Sequence, residues 1–306
     1  MTTAEGGLAH LVPDARPAAR LPDAERIALL RTEQWWITHD RVQAALARLD
    51  ALLRDGPGQI RPPNLLLVGP SNNGKSWIVE RFVRTHALPG SEDAERLPVV
   101  AMQMPTEPTV ARFYAALLAR LGAPMARMGR NAGKHDLEQL ALHVLRGVGA
   151  RMLVIDELHN MLGGTRTARG EFLILLRWLG NELRIPLVGA GTRDAWLAIR
   201  TDPQLENRFE PFALPPWRPG PEAARLVQSF TTLLPLRQPS DLRSAEVVGS
   251  IVARTGGTIG EMAAFLRAAA SAAIEGGEEC ITPDVLARAG YRGPAERRQA
   301  VERELA

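Results

Sequence analysis

Gly69-Pro70-Ser71-Asn72-Asn73-Gly74-Lys75-Ser76 follows the apolar run Leu65–Val68 and has the form G-x-x-x-x-G-K-[ST]. Each residue type at that spacing has a chemical consequence. The glycines let the backbone curl so that consecutive N–H groups point inward at phosphate oxygens. Lys75 adds positive charge where β- and γ-phosphates would lie, and Ser76 offers a hydroxyl to Mg²⁺. A helix expected over Lys75–His86 turns its positive end toward the same anion. The stretch from Gly69 through Ser76 to Trp77 therefore reads as a binding segment for ATP with Mg²⁺, with Lys75 also placed in the catalytic set. Lys75 and Lys134 are the only two lysines among 37 basic residues, so a lysine at the position the pattern demands is not incidental.

A second element carries the complementary chemistry. Met152-Leu153-Val154-Ile155 ends at the adjacent acids Asp156 and Glu157. In a parallel sheet the carboxyl ends of the strands face the ligand crevice, which brings these acids to the phosphates. Asp156 is expected to share the Mg²⁺ shell with Ser76, and Glu157 to polarise an attacking water. That pairing favours hydrolysis over a small-molecule kinase, which needs a second substrate pocket and often an arginine-rich closing lid. Thr192 closes Val188-Gly189-Ala190-Gly191-Thr192, where it either senses a γ-phosphate or caps the next helix. Arg208 stands just before another short strand. It either reaches into a neighbouring subunit's nucleotide or is an ordinary surface arginine.

The elements that must position these groups follow from pattern. With 306 residues, 45% hydrophobic, the chain can bury a large core plus a smaller one. Residues 1–22, rich in Ala and Pro, read as a mobile arm. Residues 23–53 show one helical pattern that leads into the core. Strands are expected at 65–68, 97–104, 151–157, 185–189 and 209–214, with helices at 75–86, 109–121, 136–148 and 171–183 between them. Such alternation argues for a five-stranded parallel sheet covered on both faces. After Pro215-Pro216 only helices are expected, at 221–234, 244–254, 259–275 and 282–289. The division is thus an arm (1–22), a core with its helical extension (23–216), a helical lid (217–290) and a tail (291–306).

Composition excludes some classes. Cys280 is the single cysteine, so no internal disulfide or cysteine-rich metal site is available. No apolar run approaches membrane-span length and no signal core is evident. A cytoplasmic protein is expected, with the nucleoid as its place when on DNA. Net charge is only +3, and the basic residues are nearly all arginine, compatible with phosphate contacts without establishing them.

From about residue 26 to 289 the chain resembles the AAA+ ATPases. More narrowly it is similar to the TniB group of transposition helper ATPases, relatives of the TnsC and MuB regulators. The resemblance rests on Trp35–Asp40, on the run from Arg61 through Ser76, on Ile155-Asp156-Glu157-Leu158-His159-Asn160, on Gly189-Ala190-Gly191-Thr192 and on Thr255-Gly256-Gly257-Thr258-Ile259-Gly260-Glu261. It implies an AAA+ P-loop NTPase core with a parallel five-stranded sheet, followed by a small helical lid domain. It also implies ATP binding, assembly as filaments or rings on duplex DNA, recruitment and activation of a DDE transposase, and hydrolysis that resets the assembly. One departure stands out: the nearest arginine after the Gly-Gly turn is Arg267, so an arginine reading the γ-phosphate from the lid in cis is not evident, and slow hydrolysis would follow. Two basic stretches qualify as DNA contacts or as solvated surface: Arg127, Arg130 and Lys134 in one, Arg166 and Arg169 in the other. A helicase-loader or initiator-like AAA+ protein would show the same core motifs and is the alternative reading.

Overall fold

The computed structural model describes residues 6–32, 36–88, 96–107, 109–123 and 133–306. Two short 3-10 turns, Gly6–Leu8 and Pro13–Ala15, lead into α1 (Arg16–Ala19) and α2 (Asp23–Thr32). Then come α3 (Asp40–Asp55), β1 (Asn64–Val68), α4 (Lys75–Thr85), β2 (Val99–Gln103), α5 (Val110–Arg120) and α6 (Lys134–Gly147). β3 (Met152–Asp156) passes through a 3-10 turn, Leu158–Gly163, into α7 (Arg166–Leu183), β4 (Leu187–Gly191), α8 (Arg193–Ile199), α9 (Pro203–Glu206) and β5 (Phe209–Ala213). The rest is helical: α10 (Pro221–Thr231), α11 (Ala245–Thr255), α12 (Ile259–Glu275), α13 (Pro283–Arg288) and α14 (Pro294–Leu305). These elements form two compact units, Asp40–Pro215 and the pair of segments Met1–His39 with Pro216–Ala306.

In the α/β unit the five strands are parallel in the order β2-β3-β4-β1-β5. Helices cover both faces of such a sheet, so its central strands are apolar without alternation. Leu65, Leu66 and Leu67 are all fully buried, as are Met152 and Leu153. Phe113 and Phe172 pack edge to face against that sheet's core, with ring centroids 5.4 Å apart. The polar exception is Asn64, buried at the start of β1, whose Oδ1 accepts from the Leu187 N–H at 2.9 Å. Asn64→Leu should cost about 1–3 kcal/mol, because that buried N–H loses its acceptor. A shifted urea midpoint with an unchanged slope would show it.

The helical unit closes around Leu226, Phe230, Val248, Met262, Phe265 and Leu266, with Leu30 of α2 in the same cluster. Its Thr-Gly-Gly turn has a steric cause. Gly257 sits at φ +69°, and a Cβ there would lie 2.3 Å from the Trp217 carbonyl oxygen. The same closeness lets the Trp217 N–H donate to the Gly257 carbonyl at 2.7 Å.

Residues 6–22 depart from the expected mobile arm. Leu8, Leu11, Ala15 and Ala19 form a small buried cluster of their own. The segment is tied down by Val12 N–H to the Thr232 carbonyl (3.0 Å) and by His10 Nε2 on the Leu236 carbonyl (3.0 Å). Spacings of three and four residues had put those apolar side chains on one face, which the Ala/Pro composition obscured. The single helical pattern over 23–53 is two helices, and the first of them belongs with the C-terminal segment. Trp35 lies outside the described residues.

Among the described residues no helix is long and apolar enough to cross a membrane. Among them, too, no three His, Cys, Asp or Glu side chains are grouped to hold a metal ion.

Candidate nucleotide site

The site is built at the carboxyl ends of β1, β3 and β4, whose register aligns them. Val68 pairs with Gly191, and Ile155 with Gly189. Beyond Val68 the Gly69 N–H donates to the Gly191 carbonyl at 3.1 Å, so the phosphate loop starts beside the residue before Thr192. Gly69 admits no side chain, since a Cβ would stand 2.5 Å from the Leu214 carbonyl oxygen. The loop turns through left-handed backbone at Asn72 (φ 60°) and Gly74 (φ 84°). Ser71, Asn72 and Ser76 are exposed, Pro70 is half-buried, and Asn73 is buried. Asn73 Nδ2 donates to the carbonyls of Leu214 (2.8 Å) and Pro215 (3.3 Å), which clasps the loop to the segment leaving β5.

Lys75 is 4% exposed and folded back on its own loop, donating from Nζ to the carbonyls of Gly69 (2.9 Å) and Pro70 (2.7 Å). Burial holds its ammonium below the usual lysine range, against the opposing pull of Glu157 and Asp156. The loop lysine and the two acids at the end of β3 are thus electrostatic neighbours. α4 begins at Gly74 without a side-chain cap, so its first N–H groups are not satisfied by a side chain. Trp77, on the first turn of α4, is 38% exposed.

β3 ends at Asp156, whose Oδ1 accepts from the Glu157 N–H at 2.7 Å. Glu157 takes a left-handed φ of 53° and so turns the strand into the 3-10 turn Leu158–Gly163. Asn160 Nδ2 pins that turn on the Met104 carbonyl at 3.0 Å. Thr192 occupies the N-cap position of α8 but makes no side-chain cap bond, and its Oγ1 is buried without a partner. Among the described residues this hydroxyl has no hydrogen-bond partner.

These observations fit a nucleotide with its cation. The uncapped helix start and, among the described residues, a lysine with no carboxylate in hydrogen bond to it and an unpaired hydroxyl suit phosphate oxygens. The Ser76 hydroxyl and the Asp156 carboxylate supply the hard oxygen donors that Mg²⁺ prefers.

The other expected residues lie elsewhere. Arg208 precedes β5 and so stands at the amino end of the sheet, a strand's length from the loop. Its Nη1 donates to Asn181 Oδ1 at 2.8 Å. Partial burial and the nearby guanidiniums of Arg61 and Arg177 depress its pKa. The neighbourhood of Arg61 and Arg177 was not legible from spacing. Thr165–Arg169, expected as a loop, is instead the capped start of α7: Thr165 Oγ1 accepts from the Ala168 N–H at 3.2 Å. Arg166 is exposed there, whereas Arg169 is half-buried and turned back toward the Leu162 carbonyl. Lys134 opens α6 and lines a shallow groove with Glu138, Glu171 and Ile174. Arg127 and Arg130 lie outside the described residues.

Comparison with known proteins agrees with this geometry. The family model described as bacterial TniB protein matches residues 26–219, well over half of the chain. Among curated proteins none matches significantly. Similar solved structures include the Aeropyrum pernix ORC1 protein in complex with DNA, at 19% identity and a TM-score of 0.61, covering 91% of this chain and 70% of that one. The Aeropyrum pernix ORC2 protein in its ADPNP-ADP complexes is 18% identical with a TM-score of 0.60, over 85% and 70% of the two chains. The Thermotoga maritima RuvB Holliday junction branch migration motor is 14% identical with a TM-score of 0.51, over 85% and 72%. The five-stranded order, the loop and the Asp-Glu strand end are those of the AAA+ P-loop ATPases, and the chain belongs to the TniB family.

Proposed function

We propose that this protein is an ATP-hydrolysing regulator of transposition that assembles on duplex DNA, recruits and activates a DDE transposase, and resets by hydrolysis. The observation that carries it is polarity. Lys75, Asp156, Glu157 and Thr192 meet at the carboxyl ends of the strands, while Arg208 stands at the amino end. Five residues at ~3.3 Å each put roughly 15 Å between the two ends, so Arg208 serves a nucleotide only when a second copy brings it there.

In this reading the loop N–H groups and Lys75 hold the β- and γ-phosphates, which requires Nζ to leave the carbonyls of Gly69 and Pro70. Ser76 and Asp156 hold Mg²⁺, which when bound neutralises charge on the phosphates. Glu157 takes the proton of the attacking water, and Thr192 donates its unpaired hydroxyl to the γ-phosphate. Support for the DNA step comes from family membership, and from a similar fold that has been seen with DNA in the ORC1 structure. Arg166 and Lys134 are the described candidates for phosphate contacts, which would be sequence-independent.

The test is electron microscopy with a slowly hydrolysed ATP analogue, with and without duplex DNA, beside Lys75→Ala. Filaments or rings enclosing DNA are expected for the wild type and not for the variant. Arg166→Ala should then reduce the slope of log affinity against log salt by about 0.9 for each DNA phosphate that the arginine neutralises. A protein that stays monomeric and ignores duplex DNA in every nucleotide condition overturns the reading.

A further inference from the structure

The turn after β3 carries a side chain with no task in the scheme above. His159 places Nε2 3.1 Å from Glu157 Oε2. Its other ring nitrogen, Nδ1, is buried without a partner among the described residues. The ring edge lies against the end of β4, where a Cβ on Gly191 would stand 3.7 Å from Nδ1 and 3.4 Å from the His159 backbone nitrogen.

A carboxylate oxygen only accepts, so in this contact the hydrogen is on Nε2. The contact engages one oxygen of Glu157, Oε2. Glu157 has its backbone set by the left-handed turn and one carboxylate oxygen in contact with the ring. A contact that withdrew Glu157 from the site would have to turn the whole group away. Here the carboxylate stays within electrostatic reach of Lys75.

We propose that His159 is a positioning residue for Glu157, holding Oε2 through Nε2–H so that Oε1 is presented to the water that attacks the γ-phosphate. This rests on the reading of Glu157 as the base. In the step it supports, the water's proton passes to Oε1 while its oxygen bonds to phosphorus and the bond to the ADP oxygen breaks. The imidazole keeps its own proton throughout, so its role is geometric.

Two variants separate this role from simple packing. His159→Phe keeps the ring and removes the donor; His159→Gln restores a donor near the place of Nε2. His159→Phe should lower kcat by on the order of 10–100-fold, the usual cost of losing a partner that orients a reacting group. KM and the equilibrium affinity for a non-hydrolysable ATP analogue should both stay within about two-fold, and His159→Gln should recover most of the loss. Independently of turnover, nitrogen-15 NMR of the nucleotide-free protein should show His159 protonated at Nε2, with that signal displaced in Glu157→Ala. An unchanged or raised kcat in His159→Phe, a Gln variant no better than Phe, or protonation at Nδ1 overturns the proposal. Wild-type protein that hydrolyses no ATP overturns the parent reading and this one together. An active wild type beside an equally active His159→Phe overturns this one alone.

Discussion

Glu157→Gln is expected to lower ATP turnover by about 10²–10⁴-fold, the range a positioned general base supplies, while nucleotide affinity changes little. The expectation follows from how the residue is held. Its backbone is set by the left-handed turn at the end of β3 and by the bond from its own N–H to Asp156 Oδ1, neither of which involves its carboxylate. Glutamine has the same shape and still offers an oxygen to His159 Nε2, so the turn and its histidine should stay in place. What is lost is the capacity to accept a proton from water. Lys75, Ser76 and the loop N–H groups are untouched, which separates this variant from Lys75→Ala, where binding itself should fail. Single-turnover hydrolysis together with titration of a fluorescent ATP analogue measures both quantities. If the assemblies proposed above form and hydrolysis resets them as proposed, they should persist on DNA in this variant. Equal turnover in Glu157→Gln and wild type would remove Glu157 from the chemistry.

The second large effect lies in the helical unit and concerns stability. Arg26 of α2 is fully buried, and its guanidinium meets Glu279 through two bonds (2.6 and 2.7 Å), Asp23 at 2.7 Å and the Pro235 carbonyl at 2.9 Å. Arg237 adds a third cationic contact to Glu279 at 3.3 Å. Arg26→Met should destabilise this unit by about 3–5 kcal/mol, because it leaves a mostly buried carboxylate without its main partner. Adding Glu279→Gln should recover a large part of that loss, since removing both charges also removes the desolvation they imposed. Amide hydrogen exchange along α12 reads the effect on this unit directly.

The same pair predicts a pH dependence. Hydrogen bonding from Arg26 holds the Glu279 carboxyl below the ordinary glutamate range, with burial opposing and Arg237 assisting. A carboxyl whose pKa is depressed on folding contributes stability that is fully present above its unfolded value. That contribution fades as pH falls through the lower folded value. Protection of α12 should therefore decline below about pH 4.5 in the wild type, and this part of the decline should be missing from the double variant.

Much of the site could be read from the chain because its chemistry is local. The glycines, Lys75 and Ser76 fall within one short stretch of backbone, and the phosphate site proposed for them needs little beyond it. Asp156 and Glu157 are adjacent, and a parallel strand can present its last residues in only one direction. Apolar runs without alternation at Leu65–Val68 and Met152–Ile155 argued for a sheet covered on both faces, and a five-stranded parallel sheet was observed.

Other features depended on contacts far apart in sequence. Arg26 reads as a charged residue on a helical stretch, and only Glu279, Pro235 and the helices around them make it a buried ion pair. The arm at residues 6–22 is composed like a loose segment, yet it packs because Thr232 and Leu236 supply partners for its backbone and for His10. Thr165–Arg169 looks like a loop until the threonine hydroxyl is seen to cap α7, which ties down Arg169 and leaves Arg166 outside. His159 lies two residues from Glu157 in the sequence. Its ring nevertheless meets that carboxylate only because the left-handed turn at Glu157 folds the chain back. Spacing along the chain determined which groups can do phosphate chemistry; the tertiary structure decided which of them are held, freed or neutralised, because burial and hydrogen bonding are set by neighbours the sequence does not place side by side.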